Sequence, residues 1–239
     1  MINIASPVIE EEERRAVNEV IESGMLAQGP KVAELEESWA KYCGVKHALA
    51  VNSGTAAIHC ALYAAGVGEG DEVITTPYSF IATINPILML GARPVLVDID
   101  EETFNIDVSK IEAAITDKTK AIIPVDLYGQ PCDWKELREI ADKHELKIIE
   151  DACQAIGAEY DGVKTGALGD FGCFSLYATK NIMCGEGGVV TTNSDDAAAA
   201  IRSFRQHGMT SSYEYADLGY NYRMSDLHGA IAVEQLKKV

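Results

Sequence analysis

The sequence contains no apolar run near the roughly 20 residues that a membrane-spanning helix needs. Its first seven residues lack a basic region and lead into the acidic residues 10–13, so we expect no signal peptide. None of its six cysteines forms a CxxC pair, which argues against a zinc site and against a disulfide framework. These absences predict a cytoplasmic protein with reduced thiols, no metal site and no membrane partner.

Basic residues are also scarce, because 20 Lys and Arg stand against 37 Asp and Glu and give a net charge of −17. Such a chain repels phosphate backbones, so we expect no nucleic-acid partner, and an anionic substrate would need a locally positive pocket. The hydrophobic fraction of 47% in 239 residues is typical of a globular protein with a sizeable core.

Short runs rich in Val and Ile alternate with helical segments through most of the chain. The β-like runs cover residues 48–52, 72–76, 94–98, 120–127, 147–151, 171–177 and 188–192, and helices are predicted at 10–23, 31–43, 55–65, 79–90, 108–115, 134–144 and 195–207. This alternation predicts right-handed βαβ units with buried parallel strands. No full helix separates the last two runs. We therefore expect a three-layer α/β/α fold with a mainly parallel, mixed seven-stranded sheet.

The last segments are a polar, tyrosine-rich loop at residues 211–223 and a helical pattern at 225–239. That pattern is still running where the chain stops, without a Gly or Pro terminator. We expect the sequence to be a piece of a longer protein.

One lysine, Lys180, follows the apolar run 171–177 and precedes a glycine-rich turn that ends at Gly188. Open α/β sheets bind ligands beyond the carboxyl ends of their strands. A desolvated lysine in that place can lose its proton and act as a nucleophilic amine. The alternative is a solvated loop lysine, which is the common role of this residue type.

Two further motifs lie at predicted strand ends. Residues 52–56 open a helix whose N-terminal N–H groups favour a phosphate, although a plain turn capped by Ser53 is the better interpretation of this motif alone. The motif is neither a Walker A loop nor GxGxxG. Asp151 ends an apolar strand, where its carboxylate either caps the next loop or pairs with a cation such as a pyridinium nitrogen.

Three other groups complete the set. Ser175 ends a strand and offers a hydroxyl to a phosphate. Phe80 or Tyr78 offers a ring for stacking, although core packing of the following helix is the better interpretation of an isolated aromatic residue. Residues 220–225 combine aromatic, amide and guanidinium groups before a helix. A reactive lysine, an anion cradle, a strand-end carboxylate and a stacking ring together are what pyridoxal 5′-phosphate (PLP) requires.

In these motifs the sequence resembles the DegT/StrS family of PLP-dependent sugar aminotransferases, which have the type I aspartate-aminotransferase fold. The matching stretches, in family order, are residues 28–30, 53–57, 76–83, 150–155, 174–188 and 219–224. The resemblance implies an N-terminal helix and substrate-side loop at residues 1–30 and a PLP-binding large domain at 31–239. It also implies a smaller C-terminal domain, which this sequence lacks.

The resemblance assigns roles to single residues. Lys180 is similar to the Schiff-base lysine that moves the proton during transfer, and Asp151 to the partner of the pyridinium nitrogen. The remaining cofactor-binding positions are Gly54, Thr55, Ala56 and Ser175 at the phosphate, Phe80 against the ring, Gln154 near the ring hydroxyl, and Asn221, which reaches the phosphate of a neighbouring subunit. These assignments imply a homodimer with shared active sites.

The implied activity is transamination of the EC 2.6.1 type. An amino group passes from an amino acid, with glutamate expected, to a keto group of a nucleotide-linked sugar in polysaccharide, lipopolysaccharide or amino-sugar biosynthesis. Relatives that carry histidine in place of the lysine are dehydratases, so Lys180 disfavours that branch.

Two rival functions stay open. Residues 98–100, Asp-Ile-Asp, resemble the DxD metal site of a glycosyltransferase, although a strand end running into an acidic loop is the preferred interpretation. A non-catalytic regulatory protein that binds PLP or a sugar nucleotide is the second rival. Arg202, Arg205 and Arg223 are candidates to bind a diphosphate, or else ordinary ion-pair partners.

Overall fold

A mixed sheet forms the middle layer of residues 5–239, the part of the chain that the computed structural model describes. The strands, in chain order, are β1 His47–Val51, β2 Glu72–Thr75, β3 Arg93–Leu96, β4 Thr119–Ile122, β5 Lys147–Asp151, β6 Glu159–Tyr160, β7 Val163–Lys164, β8 Phe171–Ser175, β9 Gly188–Thr192, β10 Met209–Ser211 and β11 Glu214–Tyr215. Seven of them pair in the order β1-β9-β8-β5-β4-β2-β3. Strand β9 runs antiparallel to β1 and β8, and the other neighbours are parallel. The predicted mainly parallel, mixed seven-stranded sheet is confirmed.

Helices cover both faces of this sheet. They are α1 Glu11–Ser23, α2 Pro30–Cys43, α3 Gly54–Ala64, α4 Asn85–Met89, α5 Ile111–Ala114, α6 Trp134–Lys143, α7 Asp195–Phe204 and α8 Asp226–Leu236, with 3₁₀ turns at Ile81–Thr83, Val108–Lys110 and Leu127–Gly129. Buried side chains of α3, α4 and α7 form the core on one face, and those of α2, α5, α6 and α8 form it on the other. Helix α1 packs on α8. No helix within residues 5–239 is long and apolar enough to cross a membrane.

Helix α2 receives its N-terminal cap from the far end of the chain. Its own N-cap is Gly29, which has no side chain to accept a hydrogen bond. The buried carboxylate of Asp226, at the start of α8, instead accepts N–H groups of Gly29 at 2.7 Å, Lys31 at 3.1 Å and Val32 at 3.0 Å. This contact fastens the loop before α2 to α8 and supplies the acceptors that a helix N-terminus needs.

The structure departs from the predicted elements in several places. The helix predicted at 108–115 is a 3₁₀ turn followed by the short α5, and the run 120–127 ends as a strand at Ile122. The helix predicted at 79–90 is a 3₁₀ turn followed by the short α4, because Pro86 has no N–H to continue a helix from upstream. The run 171–177 ends as a strand at Ser175, where the chain turns toward Lys180. The loop predicted at 211–223 contains part of the small β10–β11 hairpin. The signal-peptide prediction falls partly on residues 1–4, outside the described residues, and the boundary at residue 30 stays a prediction.

Candidate active site

A cavity of about 450 Å³ lies beyond the ends of β5 and β8, beside the N-terminus of α3. Parallel strands bring their carboxyl ends, and the loops that follow them, to this edge of the sheet. Of the nine predicted site residues, seven line the cavity, namely Gly54, Thr55, Phe80, Asp151, Gln154, Ser175 and Lys180. The structure therefore brings together residues that are far apart in the sequence.

Lys180 reaches the cavity from a turn that follows β8. The strand ends at Ser175, and the N–H of Lys180 then donates to the carbonyl oxygen of Tyr177 at 2.9 Å. A β-bridge between Tyr177 and Gly185, with Gly185 in the left-handed region at φ +93°, closes the loop behind the lysine. The half-buried Lys180 side chain is thus held at the cavity wall by a constrained turn.

Asp151 is the last residue of β5 and is only 4% exposed. Its Oδ2 accepts a hydrogen bond from Thr83 Oγ1 at 2.8 Å, and its Oδ1 accepts one from the Cys153 N–H at 3.2 Å. A carboxylate has about four lone-pair positions, so lone pairs remain free on the side that faces the cavity. The arrangement presents a fixed negative charge to a ligand.

The N-terminus of α3 supplies backbone donors. Ser53 caps the helix, since its Oγ accepts the Ala56 N–H at 3.1 Å. Within residues 5–239 the N–H groups of Gly54 and Thr55 have no acceptor, which leaves them free for an anion. A Cβ on Gly54 would come within 2.8 Å of Ser175 Cβ, so only glycine allows this close approach to β8.

The structure places Ala56 differently from the sequence prediction. Its N–H is used by the Ser53 cap, and the residue is buried behind the cavity wall instead of lining the cavity. Direct contact of Ala56 with a phosphate therefore has no geometric support in this chain. The plain capping role that the sequence left open for Ser53 is confirmed, and it coexists with the free donors at residues 54 and 55.

Gln154 and Phe80 both line the cavity. Gln154 Oε1 accepts the N–H of Tyr128 at 3.1 Å, which fixes the side chain and leaves its amide NH₂ free to donate. The ring of Phe80 lines the cavity and is 73% exposed, so it packs against little of the described chain. A planar ligand in the cavity would supply the missing contact for this ring.

Asn221 lies outside the cavity. It is exposed, forms a β-bridge with Gln206, and its carbonyl oxygen accepts from Asn52 Nδ2 at 3.3 Å. The flanking Tyr220 and Tyr222 rings stack at 5.0 Å within an aromatic cluster that includes Phe204 of α7. The segment is firmly held but does not face the site of its own chain, and the predicted role of Asn221 in a neighbouring subunit stays a prediction.

One known protein family matches nearly the whole of this chain. The sequence model of the DegT/DnrJ/EryC1/StrS aminotransferase family matches residues 7–239. The chain belongs to this family. The resemblance in the sequence motifs is thereby confirmed.

Members of the DegT/DnrJ/EryC1/StrS family with known names lie close to this chain. GDP-perosamine synthase of Caulobacter vibrioides is 47% identical over 241 residues, which cover 100% of this chain and 65% of the relative. The crystal structure of S. venezuelae DesV in complex with a ketimine intermediate is 39% identical with a TM-score of 0.92 and covers 95% of this chain and 61% of DesV. The chain thus spans less than two thirds of these relatives.

A third relative has the same fold but is named for a different reaction. A GDP-4-keto-6-deoxymannose-3-dehydratase, solved with a trapped PLP-glutamate geminal diamine, is 31% identical with a TM-score of 0.95 and covers 100% of this chain and 68% of that one. The predicted type I aminotransferase fold is confirmed by these neighbours. Because a dehydratase shares it, the fold does not decide the reaction.

Six polar cavity residues received no role from the family motifs, namely Ser79, Thr83, Cys153, Tyr177, Thr179 and Glu186. Thr83 lies inside the matching stretch 76–83, and Cys153 is two residues after Asp151. Burial raises the pKa of the Cys153 thiol well above its usual range, so this thiol stays protonated. The need of a buried carboxylate for donors was the signal that could have pointed to Thr83.

The arginines proposed for a diphosphate do not reach the site. Arg205 is 4% exposed, pairs with Glu36 and donates to the Ala50 carbonyl oxygen at 2.6 Å, so of its two alternative roles the structure supports the ion-pair partner. Neither Arg202 nor Arg223 lines the cavity. Among the described residues that line this cavity, Lys180 is the one basic side chain.

The DxD interpretation of residues 98–100 receives a structural alternative. Asp100 Oδ1 accepts the N–H groups of Glu102 at 3.1 Å and Thr103 at 2.8 Å. These bonds lower the pKa of Asp100 and close a turn after β3. The carboxylate therefore has a local capping role, as the preferred interpretation of this acidic stretch expected.

Proposed function

We propose that the protein is a PLP-dependent aminotransferase that moves an amino group from an amino acid, glutamate, to a keto group of a nucleotide-linked sugar. The observation that carries this proposal is the single cavity shared by Lys180, Asp151 and the free N–H groups at the start of α3. The name of the relative GDP-perosamine synthase supports the nucleotide-linked sugar substrate. The PLP-glutamate adduct of the dehydratase relative supports the cofactor and the donor.

The residues present fit PLP. Gly54, Thr55 and Ser175 would hold the phosphate through N–H and hydroxyl donors, and Asp151 would pair with the ring nitrogen. Phe80 would cover a face of the ring, and Gln154 would donate to its hydroxyl. When bound, the cofactor supplies an electron sink for carbanion chemistry at the amino-acid Cα.

The protein side chains then have distinct tasks. Lys180 Nζ would hold the cofactor covalently, and as a free amine it would serve as the base for the proton at Cα of the amino acid. Its turn keeps the amine at one wall of the cavity, so the same Nζ can return the proton on the same face. Asp151, fixed by two hydrogen bonds, would supply a negative charge to the ring nitrogen.

Lysine at position 180 also favours transamination over dehydration. Proton removal and proton return both require a base that exchanges readily, and a primary amine meets this need at one position. We propose a cytoplasmic homodimer, in which Asn221 of one subunit completes the phosphate site of the other. The exposure of Asn221 outside its own cavity supports the homodimer. The six free, mostly buried thiols support the cytoplasmic location.

The test uses the full-length protein. Borohydride reduction of the PLP-loaded wild type, followed by peptide mapping, should label Lys180, and glutamate with a panel of keto-sugar nucleotides should show turnover. Lys180→Ala should abolish the label and reduce turnover by about 1,000-fold or more, because nucleophile and proton carrier are both lost. The matched control is Lys147→Ala, since Lys147 is an exposed lysine paired with Asp170 at the opposite end of β5.

Two outcomes would contradict the proposal. A label on another lysine would remove the assigned role of Lys180. A stable PLP adduct at Lys180 that no amino donor converts would favour the non-catalytic regulatory protein.

A further inference from the structure

A chain of two hydroxyl groups leads from the cavity to the carboxylate of Asp151. Ser79 Oγ lies 2.8 Å from Thr83 Oγ1, and Thr83 Oγ1 lies 2.8 Å from Asp151 Oδ2. Thr83 is 2% exposed, whereas Ser79 is half-buried and lines the cavity. No role in the proposed reaction has been assigned to either hydroxyl.

The direction of these hydrogen bonds follows from their acceptor. An ionised carboxylate can only accept, so Thr83 must donate its hydroxyl proton to Asp151. The oxygen of Thr83 is then free to accept, and Ser79 is the donor to it. Both hydroxyl dipoles point their positive ends toward Asp151, and each strengthens the other.

The same short turn controls a second cavity group. Thr83 ends the 3₁₀ turn Ile81–Thr83, and its N–H donates to the carbonyl oxygen of Phe80 at 3.0 Å. The backbone of Thr83 therefore anchors the residue whose ring is exposed to the cavity, while its side chain anchors the strand-end carboxylate. On the opposite side, the Cys153 N–H holds the other oxygen of Asp151 at 3.2 Å.

We propose that Thr83 is a positioning residue that fixes the orientation of the Asp151 carboxylate toward the ring nitrogen of the cofactor, with Ser79 as the second hydroxyl of the relay. This inference rests on the proposed function. Thr83 and the Cys153 N–H each hold one of the two carboxylate oxygens, so rotation about the side-chain bond is restrained. Without Thr83 the charge remains, but its direction and its stabilisation by the hydroxyl are lost.

The experiment compares Thr83→Val, Thr83→Ser and Ser79→Ala in the full-length protein. Thr83→Val keeps the shape and removes the hydroxyl, and we expect kcat to fall by about 10- to 100-fold, as for other supporting partners of active-site groups. We expect a smaller change in KM. Thr83→Ser restores the donor and should return kcat to within about threefold of wild type, and Ser79→Ala should lie between the two.

Two measurements besides activity separate positioning from a general structural role. The visible absorbance of the PLP-loaded protein, titrated with pH, should shift its midpoint in Thr83→Val and return in Thr83→Ser. The dissociation constant of PLP from the apo protein should rise less in Ser79→Ala than in Thr83→Val. Urea unfolding identifies a variant that fails to fold, in which case Ser79→Ala and Thr83→Ser carry the test.

The possible failures can be told apart. If the wild-type protein neither binds PLP at Lys180 nor transfers an amino group, the proposed function fails. If wild type does both, and Thr83→Val matches it in kcat and in the spectral titration, the positioning role is overturned. The positioning role is also overturned if Thr83→Val loses activity and Thr83→Ser, folded to the same extent, does not recover it.

Discussion

Two neighbouring acids at the end of β5 have opposite surroundings. Asp151 faces the cavity, where it accepts from a hydroxyl and a backbone N–H. Glu150 points to the other side of the strand and is 0% exposed, with its carboxyl accepting the N–H groups of Gly166 at 2.6 Å and Leu168 at 3.3 Å. Its neighbour is a second fully buried acid, Asp126, which follows β4.

The difference shows how environment divides identical chemistry. Burial, first, and the charge of Asp126, second, raise the pKa of Glu150 well above its usual range. Burial likewise raises the pKa of Asp126. Among residues 5–239 no group donates a hydrogen bond to its Oδ2, so the proton of a protonated carboxyl in this pair is the donor that remains. This inner pair therefore retains a proton at neutral pH and serves packing. Asp151, one residue on, keeps lone pairs toward the cavity and serves chemistry.

The largest effect that separates the two faces is expected for Asp151→Ala in the full-length protein. Turnover should fall by about 100- to 1,000-fold, because a preorganised charge at the reacting centre is removed, while some PLP binding remains. The matched control is Glu150→Gln, which is adjacent and isosteric and should keep turnover within about threefold. Wild-type turnover in Asp151→Ala, or an equal loss in Glu150→Gln, would erase the distinction between the faces.

The second effect concerns stability and pH. The raised carboxyl pKa values mean that the folded chain binds more protons than the unfolded chain. The contribution of the inner pair to stability is therefore greatest near pH 4 and below, about the ordinary carboxyl pKa, and falls as pH rises. Asp126→Asn replaces the acid proton by an amide donor that does not titrate. The free energy of unfolding of the variant, relative to that of wild type, should increase by about 1–3 kcal/mol as the pH rises from roughly 4 to 8.

Urea unfolding at a series of pH values measures this gain. Glu139→Gln, which neutralises an exposed acid on α6, is the matched control for the loss of one negative charge. A difference between Asp126→Asn and wild type that is constant across the range would show that the buried pair does not titrate as described.

The smallest effect is expected for Phe80→Leu. The ring is 73% exposed, so the free energy of unfolding should change by no more than about 0.5 kcal/mol. The dissociation constant of PLP should rise by about 2- to 10-fold, since one aromatic stacking contact is lost. Equilibrium dialysis of the full-length apo protein measures it, with Phe104→Leu, another exposed ring that does not line the cavity, as control. Equal affinities in both variants would argue against stacking.

The sequence predicts the sheet and the main cavity residues because both depend on local patterns. Strand runs rich in Val and Ile, a strand-end Asp151 and a lysine before a glycine turn are visible in a single stretch. The relation of Glu150 to Asp126 depends on the pairing of β4 with β5, which local patterns do not specify. Strand alternation indicates only that residues 150 and 151 face opposite ways.

The open points and the errors have the same origin. Arg205 directly follows α7, and nothing in the neighbouring sequence distinguishes it from an exposed arginine. Its ion-pair partner, Glu36, lies 169 residues earlier in the chain. Thr83 was not distinguished from its neighbours, since its hydroxyl gains meaning only when a strand 68 residues later places Asp151 beside it. Ala56 was assigned by motif, and the competing use of its N–H by Ser53 became visible only in three dimensions.

The contact of Asp226 with the start of α2 has a consequence for the order of events during synthesis. Lys31 and Asp226 are separated by 195 residues, so the growing chain contains α2 long before it contains the carboxylate that caps this helix. Until α8 has been synthesised, helix α2 lacks the helix that packs against it. The N–H groups of Gly29, Lys31 and Val32 then also lack their acceptor. Such late closure of a contact between distant parts of the chain slows folding.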